Sequence, residues 1–154
     1  DIAYFLGCHA IRTNCRGLQT VDKTEALSWS AESYNRLLEY SRPSGISVLI
    51  ENHGGLSDDA DWMLALMKKV NDPGFGTYPD WRKPGLAYDN FVYLQKVIPY
   101  AKGMSYRNQP DDMLTRKMIE LCTTNGYRGW YGIESRGREE IKKGISLLKE
   151  ALFV

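Results

Sequence analysis

The sequence predicts an α/β protein built on parallel strands, and three observations predict it. Short apolar runs alternate with helical patterns along the 154 residues, and such alternation builds a parallel sheet. The run in GISVLIENHGG, with Ile46, Val48, Leu49 and Ile50, is nearly continuous, as in a strand buried on both faces. That run stops abruptly at Glu51, Asn52 and His53, and parallel α/β folds build their sites at the carboxyl ends of strands.

Taken in order, residues 1–6 read as the tail of a helix. Cys8 to Thr13 is a strand, with Arg12 and Asn14 at its carboxyl end. Asp22 to Tyr40 is helical, because Ala26, Trp29, Tyr34, Leu37 and Leu38 recur near the 3.6 period; Pro43 and Gly45 close it. The strand ending at Glu51 follows. Ser57 or Asp58 is expected to cap a helix over about Asp59 to Val70, with Trp62, Leu64, Ala65, Leu66 and Met67 inward. Pro73 and Gly74 end it. Phe75 to Tyr78 is a short strand with Asp80 just past it, and Trp81 to Gly85 is a polar loop. Tyr88 to Ile98 is a helix stopped by Pro99. Ala101 to Tyr106 is a weaker strand, interrupted by Gly103. Asp111 to Thr124 is a helix on Met113, Leu114, Met118, Ile119 and Leu121, terminated by Asn125 and Gly126. Gly129 to Ile133 is the last strand, ending at Glu134. Glu139 to Leu152 is an amphipathic helix on Ile141, Ile145, Leu147, Leu148 and Leu152. Residues 1–154 read as a single domain.

Composition narrows the function classes. The chain is 43% hydrophobic and 25% charged, with a net charge of +1, which is ordinary for a globular protein. With no block of one sign, bulk charge argues against nucleic acid or an anionic membrane as partner. No apolar run reaches the ~18 residues of a spanning helix. The three cysteines lack CxxC spacing and read as reduced thiols, with Cys8 expected in the core. No signal peptide is visible in these residues, and the chain opens at Asp1 without a Met. Its natural start is expected to be missing; a cytoplasmic location is the default, and an exported parent stays open.

The strand ends hold Arg12 with Asn14, then Glu51, Asp80, Ser105 with Arg107, and Glu134. The steps from Glu51 to Asp80, to Ser105 and to Glu134 are 29, 25 and 29 residues, each one βα unit. In a closed parallel barrel such ends lie around one rim, and three carboxylates there would raise one another's pKa unless a cation offsets them. Carboxylate ligation with at most one His suits Mn²⁺, Mg²⁺ or a carboxylate-tolerant Zn²⁺. The plainer alternative is that Asp80 or Glu134 merely caps the next helix.

The segments IENHGGLSDDADWMLALMKKV, GFGTYPDW, IPYAKGMSYR and GYRGWYGIESRG, in this order and spacing, resemble the second half of a xylose isomerase-like TIM barrel, the sugar phosphate isomerase/epimerase group. The resemblance implies a parallel (β/α) barrel of TIM type, of which this chain supplies about five βα units as a partial barrel. It implies a divalent-metal site in which Glu51, Asp80 and Glu134 are ligands. The seventh strand of many relatives ends in His, a residue and Lys; here Ser105, Tyr106 and Arg107 stand there, so the pattern departs at a metal-binding His. The implied activity is isomerisation or epimerisation of a sugar or sugar-like polyol by proton transfer next to a carbonyl. The metal polarises the oxygens, and Glu51 and Glu134 move the proton from opposite faces.

His53, Arg12, Asn14, Ser105 and Arg107 are candidate contacts to a sugar or sugar-phosphate substrate, His53 being alternatively a loop histidine bonded to backbone. Arg82 and Lys83 face either an anionic substrate or solvent. Arg136 and Arg138, ahead of the last helix, suit a phosphate or stay solvated. Trp81, Trp130 and Tyr131 are candidates to stack on a sugar ring, with packing the simpler role for the last two. A TIM barrel needs about 250 residues. The chain is therefore expected to be part of a longer protein, to pair as a homo-oligomer in which two copies complete each other, or to form an open doubly wound sheet. The competing function is a degenerate barrel that binds carbohydrate without turnover. An AP endonuclease of the same fold would need more His ligands than His9 and His53 and a basic groove. A flavodoxin-like domain would need a glycine-rich phosphate loop after its first strand.

Overall fold

In a computed structural model, residues 1–16, 20–82 and 89–153 are described. The expectations for Lys83 and for the loop and helix start at residues 83–88 lie outside the described residues. The chain divides into two compact units, residues 1–78 and 79–154.

In the first unit, helix α1 (Ile2–Phe5) precedes strand β1 (Ala10–Asn14), helix α2 (Lys23–Ser41), strand β2 (Ser47–Glu51), helix α3 (Ala60–Val70) and strand β3 (Phe75–Thr77). The strands are parallel in the order β1-β2-β3, with Asn14 opposite Glu51 and Ile50 opposite Thr77. Central β2 is buried from Val48 to Glu51, as its continuous apolar run requires. Each fully buried aliphatic side chain there contributes about 1.5–3 kcal/mol. Helices α2 and α3 pack on each other, and Tyr34 of α2 meets Phe75 of β3 at a ring separation of 4.5 Å.

In the second unit, helix α4 (Asn90–Val97), strand β4 (Met104–Tyr106), helix α5 (Asp112–Thr124), strand β5 (Tyr131–Ile133) and helix α6 (Arg138–Leu152) alternate. Strands β4 and β5 are parallel, and an isolated parallel bridge sets Asp80 beside Ser105. The core gathers Trp81, Leu94, Met104, Tyr106, Met118, Ile119, Cys122 and Leu148.

Aspartates start four of the helices. Asp22, Asp59, Asp89 and Asp111 each accept backbone N–H bonds from the first turn that would otherwise lack partners. The cap of α3 is thus Asp59, not Ser57 or Asp58, which belong to the preceding 3₁₀ turn. Several other expectations are corrected by burial. Cys8 is exposed, because it precedes β1 in a turn rather than lying in the strand. Trp29, Leu37, Met113, Ile141 and Ile145 are exposed, while Ala31, Thr115 and Gly144 are buried on the same helices. The buried stripes therefore use small residues where helix meets sheet or neighbouring helix. Trp130 is 86% exposed, so packing is not its role, and Trp81 is fully enclosed, so it is not placed to stack on a sugar. No helix among the described residues is long and apolar enough to cross a membrane.

Candidate functional site

In the first unit the candidate residues meet at the carboxyl ends of β1 and β2. Register places Asn14 opposite Glu51, and Arg12, two residues earlier, projects on the same side as Asn14. Arg12 donates to Glu51 Oε2 and also to Asn14 Oδ1, the latter at 2.9 Å. His53 Nδ1 lies 3.0 Å from the same Glu51 oxygen. Glu51 is 3% exposed, so its charge needs the Arg12 guanidinium beside it.

The turn carrying His53 is fastened by its own side chains. Ser57 Oγ accepts from His53 N at 3.0 Å and donates to Gly54 O at 2.9 Å, and Asp58 Oδ1 accepts from Gly54 N at 2.9 Å. Gly54 and Gly55 have φ of 94° and 66°, and a Cβ on Gly55 would collide with the backbone carbonyl of Arg16. Glycine is required there on both counts. Arg16, which carries no sequence signal of a role, donates from Nε to His53 O at 3.1 Å, and its carbonyl accepts Leu56 N–H at 2.8 Å.

In the second unit the candidates gather around Arg107. Its Nε donates to Asp80 Oδ1 at 2.6 Å and its terminal Nη2 to Asp80 Oδ2 at 3.2 Å. The same Nη2 is 2.5 Å from Glu134 Oε1, and Ser105 Oγ donates to Glu134 Oε2 at 2.7 Å. Ser105 and Arg107 are two residues apart on β4 and its extension, so both side chains reach the same face. The hydrogen bonds that Arg107 donates to Asp80, with the charges of Asp80 and Glu134, raise its pKa above the ordinary value against the opposing effect of burial, so it stays a cation. Asp80 is 3% exposed and Glu134 about half exposed. Among the described residues neither caps a helix: the N-cap of α4 is Asp89 and that of α6 is Gly137. The capping alternative is removed for Glu134, whose next helix is α6.

Gln109 was not singled out from sequence, yet it is buried and donates from Nε2 to Trp81 O and Arg107 O, both at 3.2 Å. Its backbone N–H bonds Thr115 Oγ1 at 3.0 Å. It therefore sets the main chain that carries Arg107. A polar residue between two structural segments is its only sequence signal. A cavity of about 540 Å³ opens beside the cluster, lined by Arg107, Asn108, Glu134, Ser135, Arg136 and Glu140. Arg136 is thus on a cavity wall, whereas Arg138 is an exposed first residue of α6. Arg82 Nε lies 3.7 Å from Asp80 Oδ2.

The donors are of the right kind for a hard divalent cation: carboxylate oxygens at strand ends, two of them on buried side chains. In each unit these carboxylates already touch a guanidinium, which supplies the offsetting charge.

Comparison with solved structures shows a parallel α/β barrel of TIM type. Within that class, the matched structures are xylose isomerase-like barrels and their kin. A D-tagatose 3-epimerase-like protein aligns with a TM-score of 0.75 at 17% identity, over 98% of this chain and 64% of its own. The probable 3-DHS dehydratase AsbF from Bacillus anthracis, involved in petrobactin synthesis, aligns at 0.72 and 16% identity, over 96% and 66%. A xylose isomerase-like TIM barrel protein from Mycobacterium smegmatis, in complex with magnesium, aligns at 0.68 and 18% identity, over 98% and 64%. At such identities the likeness shows the fold alone. The chain spans less than two thirds of the length of these structures, and it carries the TIM-type fold as a partial barrel. No protein-family model matches the chain. No curated protein matches it.

Proposed function

We propose that the full-length protein is a divalent-metal-dependent isomerase or epimerase that moves a proton next to the carbonyl of a sugar or sugar-like polyol. The observation that carries this reading is Asp80: a buried carboxylate just beyond a strand, bridged to Ser105 and capping none of the described helices. Solved structures of similar fold, one described as epimerase-like and one bound to magnesium, support it. Glu51, Asp80 and Glu134 are the proposed ligands, and a cation bound by them supplies Lewis-acid polarisation of the substrate carbonyl. Glu51 and Glu134 are the proposed proton carriers. Glu134 suits that role because it is half exposed and receives a bond from Ser105 Oγ, which orients one oxygen. Glu51 is held by Arg12, with His53 Nδ1 3.0 Å from the same oxygen, so its carboxylate is fixed in place. His53, Arg12, Asn14, Ser105 and Arg107 are proposed to contact the substrate.

The test is exchange of the carbon-bound proton of ketoses in D₂O with Mn²⁺ supplied. Glu134→Gln and Glu51→Gln should each lower exchange by about 10²-fold or more. Unchanged turnover in both would end the assignment. A second reading, a barrel that binds carbohydrate without turnover, is favoured by one observation: Arg107 holds both Asp80 and Glu134. Sugar binding with no exchange under any divalent cation would select it.

A further inference from the structure

All four carboxylate oxygens of Asp80 and Glu134 receive a donor from within the second unit. Arg107 bonds both oxygens of Asp80, at 2.6 and 3.2 Å, and one of Glu134, at 2.5 Å; Ser105 bonds the other at 2.7 Å. Proton transfer does not ask for this arrangement, and a bare metal site would leave those oxygens open to the ion. We propose that Arg107 is a resident counter-cation for this carboxylate pair, which a divalent cation must displace in order to bind. This inference rests on the metal-dependent reading above.

A buried carboxylate such as Asp80 needs a compensating charge in the absence of an ion, and a guanidinium gives it through two parallel bonds. A guanidinium and a divalent cation repel each other strongly when they share carboxylates, so one excludes the other. The displaced side chain has somewhere to go. Arg107 is 29% exposed and lines the cavity beside the cluster, whose lining also includes Glu140, a carboxylate that accepts from Asn108 Nδ2 at 2.9 Å. Helix α6 supplies that carboxylate, so a second ion-pair partner is built into the wall.

The consequence is a lowered apparent metal affinity. If the carboxylates are free of Arg107 only about one-tenth of the time, binding is weakened about tenfold. Calorimetric titration of the full-length protein with Mn²⁺ measures this directly. Arg107→Gln, which keeps a polar side chain but no charge, should bind Mn²⁺ about tenfold tighter or more. Arg107→Lys, which keeps the charge but loses the two-bond fork, should fall between the two. Thermal unfolding in chelator supplies a second readout. Arg107→Gln should melt below the wild type there and gain more on Mn²⁺ addition, because the ion then replaces a missing counter-charge. If wild type binds Mn²⁺ and both variants bind it equally or more weakly, the Arg107 inference is overturned while the metal reading stands. If neither wild type nor variants bind, the metal reading falls and the inference with it. Should Arg107→Gln fail to fold, Arg107→Lys alone decides by the same comparison.

Discussion

Arg12→Gln is the perturbation that most directly probes how the first unit tolerates a buried acid. Glu51 is 3% exposed, and Arg12 bonds it from a side chain 46% exposed. Removing one partner of a fully buried ion pair costs about 3–5 kcal/mol, whereas an exposed pair is worth about 0–1. With one partner enclosed and the other half in solvent, and with His53 Nδ1 still 3.0 Å from Glu51, the expected cost is about 1–3 kcal/mol. Urea unfolding at neutral pH followed by circular dichroism measures it. The companion variant Arg12→Gln with Glu51→Gln removes both charges, and the pair should recover most of the loss, because no unpartnered charge then stays buried. A cost below about 0.5 kcal/mol for Arg12→Gln alone, or no recovery in the double variant, would refute the reasoning.

Three further outcomes are expected. Asp59 caps α3 and is held below its ordinary carboxylate value, first by the hydrogen bond from Lys23, despite an opposing effect of burial. A depressed folded pKa stabilises fully above the unfolded value of 3.8 and is lost as pH falls through the folded one. Asp59→Ala should therefore cost about 1 kcal/mol at neutral pH and flatten the acid limb of a stability-against-pH curve. Burial pushes the Cys122 thiol up to about 12, whereas Cys8 is exposed; a thiol reagent on the native protein should label Cys8 quickly and Cys122 only on unfolding, and rapid native labelling of Cys122 would contradict the packing. Gly55→Ala should destabilise by about 1–3 kcal/mol in thermal melts, since it combines φ of 66° with the Arg16 carbonyl in its path; an unchanged melting temperature would argue against this turn.

The elements most legible in the sequence are those with a local signal. Strand β2 announced itself because a strand buried on both faces has no polar positions to interrupt its apolar run. The starts of α2, α3 and α5 were legible to within a residue or two because Asp22, Asp59 and Asp111 cap through bonds to their own first turns. What depends on distant neighbours was not. Apolar periodicity marked Trp29 and Met113 as inward, but both are exposed while Ala31 and Thr115 of the same helices are buried, Thr115 with its Oγ1 accepting the Gln109 N–H. The positions of Glu51, Asp80 and Glu134 at strand ends could be read from spacing. That Arg107 bonds Asp80, 27 residues away, could not be read, because it depends on the register that sets Asp80 beside Ser105. The alternation of Ser105 and Arg107 across Tyr106 was the available hint that both face one side.

The central claim is that the strand-end carboxylates of the full-length protein bind a catalytic divalent cation. Calorimetric titration with Mn²⁺ of the wild type against Asp80→Ala tests it most directly. Saturable binding in the wild type that is lost in Asp80→Ala, with both proteins equally folded by circular dichroism, is the predicted result. Equal binding by the two proteins, or none by the wild type, would contradict the account.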